Sequence, residues 1–369
     1  MRNKASIGSR IQSLSLFVAV ILQGAGQTAL LVCLPLLSQT TGISYSMLTM
    51  ALSVGMVMVF FAAPFWGDKS DRIGRKTVIR AGLIAMVVGY VLLAAAILLA
   101  QKGVITSEGA LGIIVVSRLV YGAFVGGLYP TVQAAVMDQA SKEHGARALG
   151  SLSAAMNIGR LVGPLFGFVA VHFGVVVMCL VLAVTPLLLM IMLGHGRQFP
   201  SAAAPATGVR PASLLGIVKW GAPVFFIAVL LTAIFGALQL IVGPLMSWRL
   251  DLSPAETTEQ LSWLMLTLSL ITVLTYALFT RFIGQRYPLF IKTGATLLLV
   301  GCFLLIQLEG GAGIWLGLSL AAVSVMLMTP AYTALLSGKV PAERGRITGV
   351  LSMMHSGGGA LGAGMAALF

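Results

Sequence analysis

The sequence predicts an all-α polytopic membrane protein made of two pseudo-symmetric six-helix bundles, and three observations carry that prediction. Only 23 lysines and arginines and 10 carboxylates are spread over 369 residues, and with a mean hydropathy of +1.01 one apolar run of about 20 residues follows another, the length a helix needs to cross a bilayer. The cations collect between alternate runs. The chain also repeats itself at long range. The runs are continuous rather than alternating, which excludes a transmembrane β-barrel.

Taken in order, the first thirteen residues, a polar and basic segment without a small-residue cleavage site, read as a cytoplasmic tail rather than a signal peptide. Apolar runs then predict helices over 14–38, 46–66, 78–100, 110–138, 148–173 and 175–193. The segment 194–213 is rich in Gly, Ala and Pro and holds no long apolar run, so it reads as a cytoplasmic linker between a bundle over 1–193 and a second over 214–369. Helices over 214–246, 259–280, 287–307, 312–337 and 347–369 follow. With the N-terminus inside, 19 of the 23 cations lie in cytoplasmic segments, Lys102 and Arg249 lie outside, and Arg118 and Arg160 lie within helices. The positive-inside rule thus orients the chain and accounts for its net charge of +13 without a nucleic-acid partner. Cys33, Cys179 and Cys302 stand apart in or near predicted helices and read as packing residues, not as disulfide or metal ligands.

The repeat sets the organisation. Pro35, Ser38 and Ser44 recur as Pro244, Ser247 and Ser253 at an offset of 209. Pro130, Glu143 and Gly145 recur as Pro330, Glu343 and Gly345 at 200, and Arg147, Gly150, Ser153, Gly159 and Gly163 as Arg346, Gly349, Ser352, Gly358 and Gly362 at 199. Predicted helices one, four and five therefore return as seven, ten and eleven, in like-oriented halves. A partner for the sixth helix would start near residue 374, so a twelfth helix is expected to be absent from this chain or removed from it.

Between the second and third helices stands Gly67-Asp68-Lys69-Ser70-Asp71-Arg72-Ile73-Gly74-Arg75-Lys76. Gly67, Asp71, Arg72, Gly74, Arg75 and Lys76 match the loop signature of the major facilitator superfamily, and the chain resembles that family over essentially its whole length. The resemblance implies a latch: Asp71 beside the start of the eleventh helix near Ile347, and Arg72 or Arg75 paired with Asp138 at the end of the fourth. The second half keeps only Arg281, Gly284 and Arg286, with no acid.

Arg118, heading Arg-x-x-x-Gly122-x-x-x-Gly126, resembles the family's fourth-helix signature. A charge at that depth costs at least about 2.5 kcal/mol and needs a partner or a cavity. It is read either as bonded to backbone carbonyls of the first helix or as serving substrate or proton coupling. Gly159, Gly163, Pro164 and Gly167 resemble the signature of antiporters and exporters, departing from it where Phe168 replaces a glycine. Small residues every fourth position favour close helix packing, and Pro164 bends the helix. Arg160, inside that stripe, is a candidate substrate contact or a buried structural group.

No Asp or Glu falls at mid-membrane. The first helix offers Gln23 and Gln27 where many cationic-drug antiporters of the family carry an acid, so Arg118 and Arg160 favour an anionic or zwitterionic solute. Asn157 and Gln239 are further cavity candidates or interhelical glue. His355, the histidine expected well inside the membrane, is a candidate proton carrier, or else a neutral hydrogen-bonded group. The sequence lacks HExxH, GxSxG and paired membrane aspartates, which argues against an enzyme, and duplicated halves suit rocking better than a pore.

The expectation is a monomeric secondary transporter of the plasma membrane, with lipid and a small-molecule substrate as its partners, no metal and no cofactor. It would use the proton gradient to export a small organic anion or zwitterion, such as a siderophore-like polycarboxylate or an amphiphilic metabolite. The alternatives are a multidrug exporter of neutral or cationic lipophiles and a non-transporting sensor.

Overall fold

The computed structural model describes residues 2–139, 145–194, 214–283, 286–339 and 344–368, and the regular structure among them is α-helical. The chain divides into two compact units, Met1–Ala206 and Thr207–Phe369. Of the segment read as a linker, 195–213 lies outside the described residues, as do Glu143, His144, Gly284 and Glu343.

The first unit contains α1 (Arg2–Val32), α2 (Leu34–Thr41), α3 (Tyr45–Ile73), α4 (Arg75–Gln101), α5 (Ser107–Val125), α6 (Leu128–Gln139), α7 (Gly145–Val162), α8 (Leu165–Phe173) and α9 (Val175–Gly194). The second contains α10 (Leu214–Leu250), α11 (Pro254–Ile283), α12 (Tyr287–Gln307), α13 (Gly310–Lys339) and α14 (Arg344–Ala366). Among the described residues ten segments are long and apolar enough to cross a membrane. α14 is not one of them, because His355, Ser356 and the run Gly357-Gly358-Gly359 dilute its apolar character.

Three predicted helices are each broken in two. The first parts at Cys33, ahead of Pro35; the fourth at Gly126–Gly127; the fifth at Gly163–Pro164. Proline lacks the N–H that would bond the carbonyl four residues back, and paired glycines weaken the helix at little steric cost. The expected N-terminal tail is helical from Arg2. The charged hairpin contracts to one residue: α3 runs on through Gly67, Asp68 and Asp71 to Ile73, and Gly74 alone, at φ 92°, turns the chain into α4. Only glycine adopts that backbone without strain.

The repeat is visible in atomic detail. The Ser38 hydroxyl donates to the Ile43 carbonyl at 2.6 Å, and the Ser247 hydroxyl to the Leu252 carbonyl at 2.9 Å, so the 209-residue offset preserves the same turn. Its left-handed position is Gly42 at φ 67° in one copy and Asp251 at φ 51° in the other. Ser44 then caps α3 by accepting from the Met47 N–H at 3.3 Å. Ser253 opens α11 more firmly, because Glu256 reaches back to its N–H at 2.9 Å and completes a capping box.

Helix pairings recur too. α1 packs on α7 and α3 on α5, while α4 packs on both α5 and α9; in the second unit α10 packs on α14, and α11 and α12 each on α13. Tyr90, Leu83, Ile114, Leu152 and Met178 are fully buried in the first unit. Phe225, Leu231, Met328, Tyr332 and Leu336 form the core of the second. Exposed Phe61, Leu188, Leu299 and Phe303 are the outward-facing apolar residues that a lipid environment calls for.

Candidate functional site

The glycine stripe of α7 is a seam against α1. A Cβ on Gly159 would strike the Ile21 carbonyl, one on Gly163 would lie 2.5 Å from the Ala25 carbonyl, and one on Gly24 of α1 would lie 2.6 Å from the Met156 carbonyl. The same seam joins α14 to α10, where a Cβ on Gly358 would lie 2.5 Å from the Val229 carbonyl and one on Gly362 2.9 Å from the Ala237 nitrogen. Pro164 leaves the Arg160 carbonyl without its helical donor, and the Thr28 hydroxyl of α1 lies 3.3 Å from that oxygen. Gly167 is buried in α8 beyond the break.

This seam fixes where the neighbouring polar residues go. Arg160 is exposed, and Asn157, one turn earlier on α7, is half-buried. Gln27, adjacent to Thr28 on α1, is exposed as well. Half-buried Tyr129 of α6 lies within electrostatic range of the Arg160 guanidinium. Gln27, Tyr129, Asn157 and Arg160 thus place one cation, two amides and a phenol on adjoining helices; α1 and α7 hold no carboxylate, and the one on α6, Asp138, lies nine residues beyond Tyr129 and pairs with Arg75. Tyr129 escaped the sequence reading, and the only hint of it was the Gly126–Gly127 break that starts α6 just ahead of it.

Arg118 is elsewhere. It is 3% exposed, held between α4 and α5 rather than open to a cavity, and the carbonyl it meets belongs to Gly89 of α4 instead of the first helix. Its Nη2 donates to the Ser117 hydroxyl at 3.0 Å and approaches the Gly89 carbonyl at 3.4 Å, while Ser117 donates to the same carbonyl at 2.7 Å. The guanidinium carbon stands 4.9 Å from the Tyr121 ring centre and 5.7 Å from that of Tyr90, so two π faces share the charge. Gly122 and Gly126 pack α5 against Gly55, Met58 and Ala62 of α3. The position 200 residues on is buried Leu318, so the second copy has no such cation. Gln23, expected to line a cavity, is 4% exposed and buried.

In the second unit the Tyr332 hydroxyl meets His355 Nε2 at 2.5 Å and lies 3.2 Å from the Thr329 hydroxyl. Gln239 is half-buried, with its amide nitrogen 3.9 Å from the Met265 sulfur. Where α3 meets α4, Arg75 rather than Arg72 engages Asp138: Arg75 Nε lies 3.2 Å from Asp138 Oδ2, with the two side chains 9% and 11% exposed, and Ser70 braces the guanidinium from α3. The side chains of Asp68 and Asp71, and with them the expected latch to the eleventh predicted helix, lie outside those described.

The family model described as Major Facilitator Superfamily matches residues 16–363. Among curated proteins, a triacylglyceride transporter of Mycolicibacterium smegmatis is 33% identical over 118 residues, covering 32% of this chain and 19% of that protein. Multidrug resistance protein MdtG of Proteus mirabilis is 32% identical over 151 residues, 40% of this chain and 34% of its own length. The match therefore spans between about a fifth and two fifths of the length of the curated relatives. Among solved structures, a bacterial homologue of the human lysosomal transporter Spinster superposes with a TM-score of 0.74 at 15% identity, covering 98% of this chain and 81% of that one. The human organic anion transporter MFSD10 gives 0.66 at 20% identity, covering 97% and 93%. At such identities the solved structures speak to the fold alone.

Proposed function

Because the chain belongs to the major facilitator superfamily, we propose that it is a secondary transporter exporting small amphiphilic solutes that carry one anionic or zwitterionic group. The family sets it among membrane transporters rather than enzymes. The observation that carries the substrate class is Arg160, exposed by accessible area yet set among protein atoms, with Tyr129 in electrostatic range and no carboxylate among the described residues acting on it. An uncompensated cation on a membrane helix attracts anionic solute and repels cationic solute. With Arg118 buried, one arginine rather than two is presented, which suits a single acidic head group on an apolar body better than a polycarboxylate.

The glycine-proline signature of α7 and α8 supports the outward direction, as do relatives that bear the names of a multidrug resistance protein and a triacylglyceride transporter. The distribution of cations supports a cytoplasmic N-terminus, and the duplicated halves suit alternating access. His355, bonded to Tyr332, is the proposed proton carrier. The second reading, export of neutral or cationic lipophiles, draws on the name of the multidrug relatives.

Inside-out vesicles acidified in the lumen provide the test. A fluorescent anionic amphiphile should accumulate, dissipation of the pH gradient should stop it, and His355→Gln should slow gradient-driven uptake while sparing exchange without a gradient. Uptake indifferent to the gradient removes the proton-coupled reading, and uptake of cationic dyes alone favours the second.

A further inference from the structure

The first unit holds a concentration of buried polar atoms that the proposed cargo surface does not use. Among the described residues six buried side-chain polar atoms have no hydrogen-bond partner, and four of them are Gln23 Oε1, Tyr90 OH, Arg118 Nε and Tyr121 OH. Buried polar atoms are nearly always partnered, so four orphans in one neighbourhood ask for a ligand.

They are neighbours. The Tyr90 and Tyr121 ring centres are 5.9 Å apart and Arg118 lies against both rings. The two phenol oxygens approach one another without hydrogen-bond geometry. The Tyr90 hydroxyl points at Gly26 of α1, where any Cβ would collide with it, and Gln23 sits one helical turn before Gly26. All four side chains are 7% exposed or less.

Charge decides the kind of ligand. α1, α2, α4 and α9 contain no carboxylate; the acid of α5, Glu108, precedes Arg118 by ten residues, about 15 Å along the helix, and the acids of α3, Asp68 and Asp71, follow Gly55, which packs on Arg118, by thirteen residues or more, about 20 Å. A buried guanidinium without a counter-charge is costly in this setting. The unused groups are donors: the Arg118 Nε–H, the phenol hydroxyls, and the Gln23 amide, whose NH2 end can take the place of its oxygen. We infer that a monatomic halide, chloride in the cell, binds between Gln23, Tyr90, Arg118 and Tyr121 and neutralises the Arg118 charge inside the α1–α4–α5 packing. Burial of all four side chains excludes an organic anion from the position. The site is separate from Arg160, so loss of transport and loss of halide binding are independent results.

Thermal unfolding of the purified full chain in detergent tests it, comparing sodium chloride, bromide and gluconate at one ionic strength. Chloride and bromide should raise Tm saturably and gluconate should not, as expected of a ligand that binds only the folded state. Arg118→Gln should abolish the halide shift. Should that variant not fold, Tyr121→Phe and Gln23→Leu should each move the half-saturating chloride concentration up by about tenfold, the size of one lost hydrogen bond to a charged group. An identical Tm in all three salts, or a halide shift untouched in every variant, overturns the proposal. So does a bromide-grown crystal whose anomalous map is empty beside Arg118 Nε and shows water there.

Discussion

Arg75 and Asp138 tie the start of α4 to the end of α6, and their near-complete burial sets what the pair is worth. Removing Arg75 leaves the Asp138 carboxylate desolvated without this cation, a change of about 3 kcal/mol, whereas replacing both with apolar residues removes the desolvation cost along with the attraction. Arg75→Leu and Asp138→Leu should each lower the thermal stability of the protein, and the double substitution should recover most of the loss in a double-mutant cycle. Additive losses would mean that the contact contributes nothing as a pair. This acid was legible from the family resemblance, but which arginine meets it was not, since Arg72 and Arg75 are both close in sequence and only the turn at Gly74 decides the geometry. Arg118 and Arg160 show the same limit. A lone cation in an apolar run announces itself in sequence, while the face it occupies depends on neighbours such as Tyr90 and Tyr121, whose aromatic rings carry no special signal among other apolar residues.

At the scale of elements, the α1–α7 and α10–α14 seams are the parts of the fold that tolerate least change. The glycines there bring backbones into contact, so a methyl group must push the helices apart. Gly163→Ala and Gly362→Ala should both reduce folded yield and Tm, to similar degrees because the seam is repeated. Gly364→Ala, two residues on and turned to the opposite side of the helix where space is open, should be neutral or slightly stabilising through helix propensity. If Gly364→Ala proves as harmful as Gly362→Ala, the damage does not come from the seam. Sequence periodicity located these helices well, since apolar length is what a membrane span requires. It missed the break at Cys33, where Pro35 withholds the N–H that would bond the Leu31 carbonyl, and the extension of α3 across Gly67, because a glycine or a charge cluster reads as a stop signal while the helix continues at modest cost when nothing crowds it.

For the whole molecule, duplication explains the architecture and divergence between the copies explains the chemistry. The turn at Ser38 and Ser247 and the glycine seams are kept in both units. The cations are not, for Arg118 corresponds in the repeat to Leu318 and Arg160 to Gly359. The His355–Tyr332 bond belongs to the second unit, whereas the exposed cation belongs to the first. Under the proposed function, substrate recognition and proton handling would fall to different copies, a division that a symmetric pore would not need. The most direct test of this account is flux in proteoliposomes of a matched pair, an anionic amphiphile and its neutral methyl ester, through the wild type and Arg160→Gln. The wild type should carry the anion faster than the ester, and the substitution should cut anion flux by about tenfold, the loss of one charge-assisted contact, with the ester unaffected. Equal flux of the two compounds through the wild type, or an unchanged preference in Arg160→Gln, would contradict it.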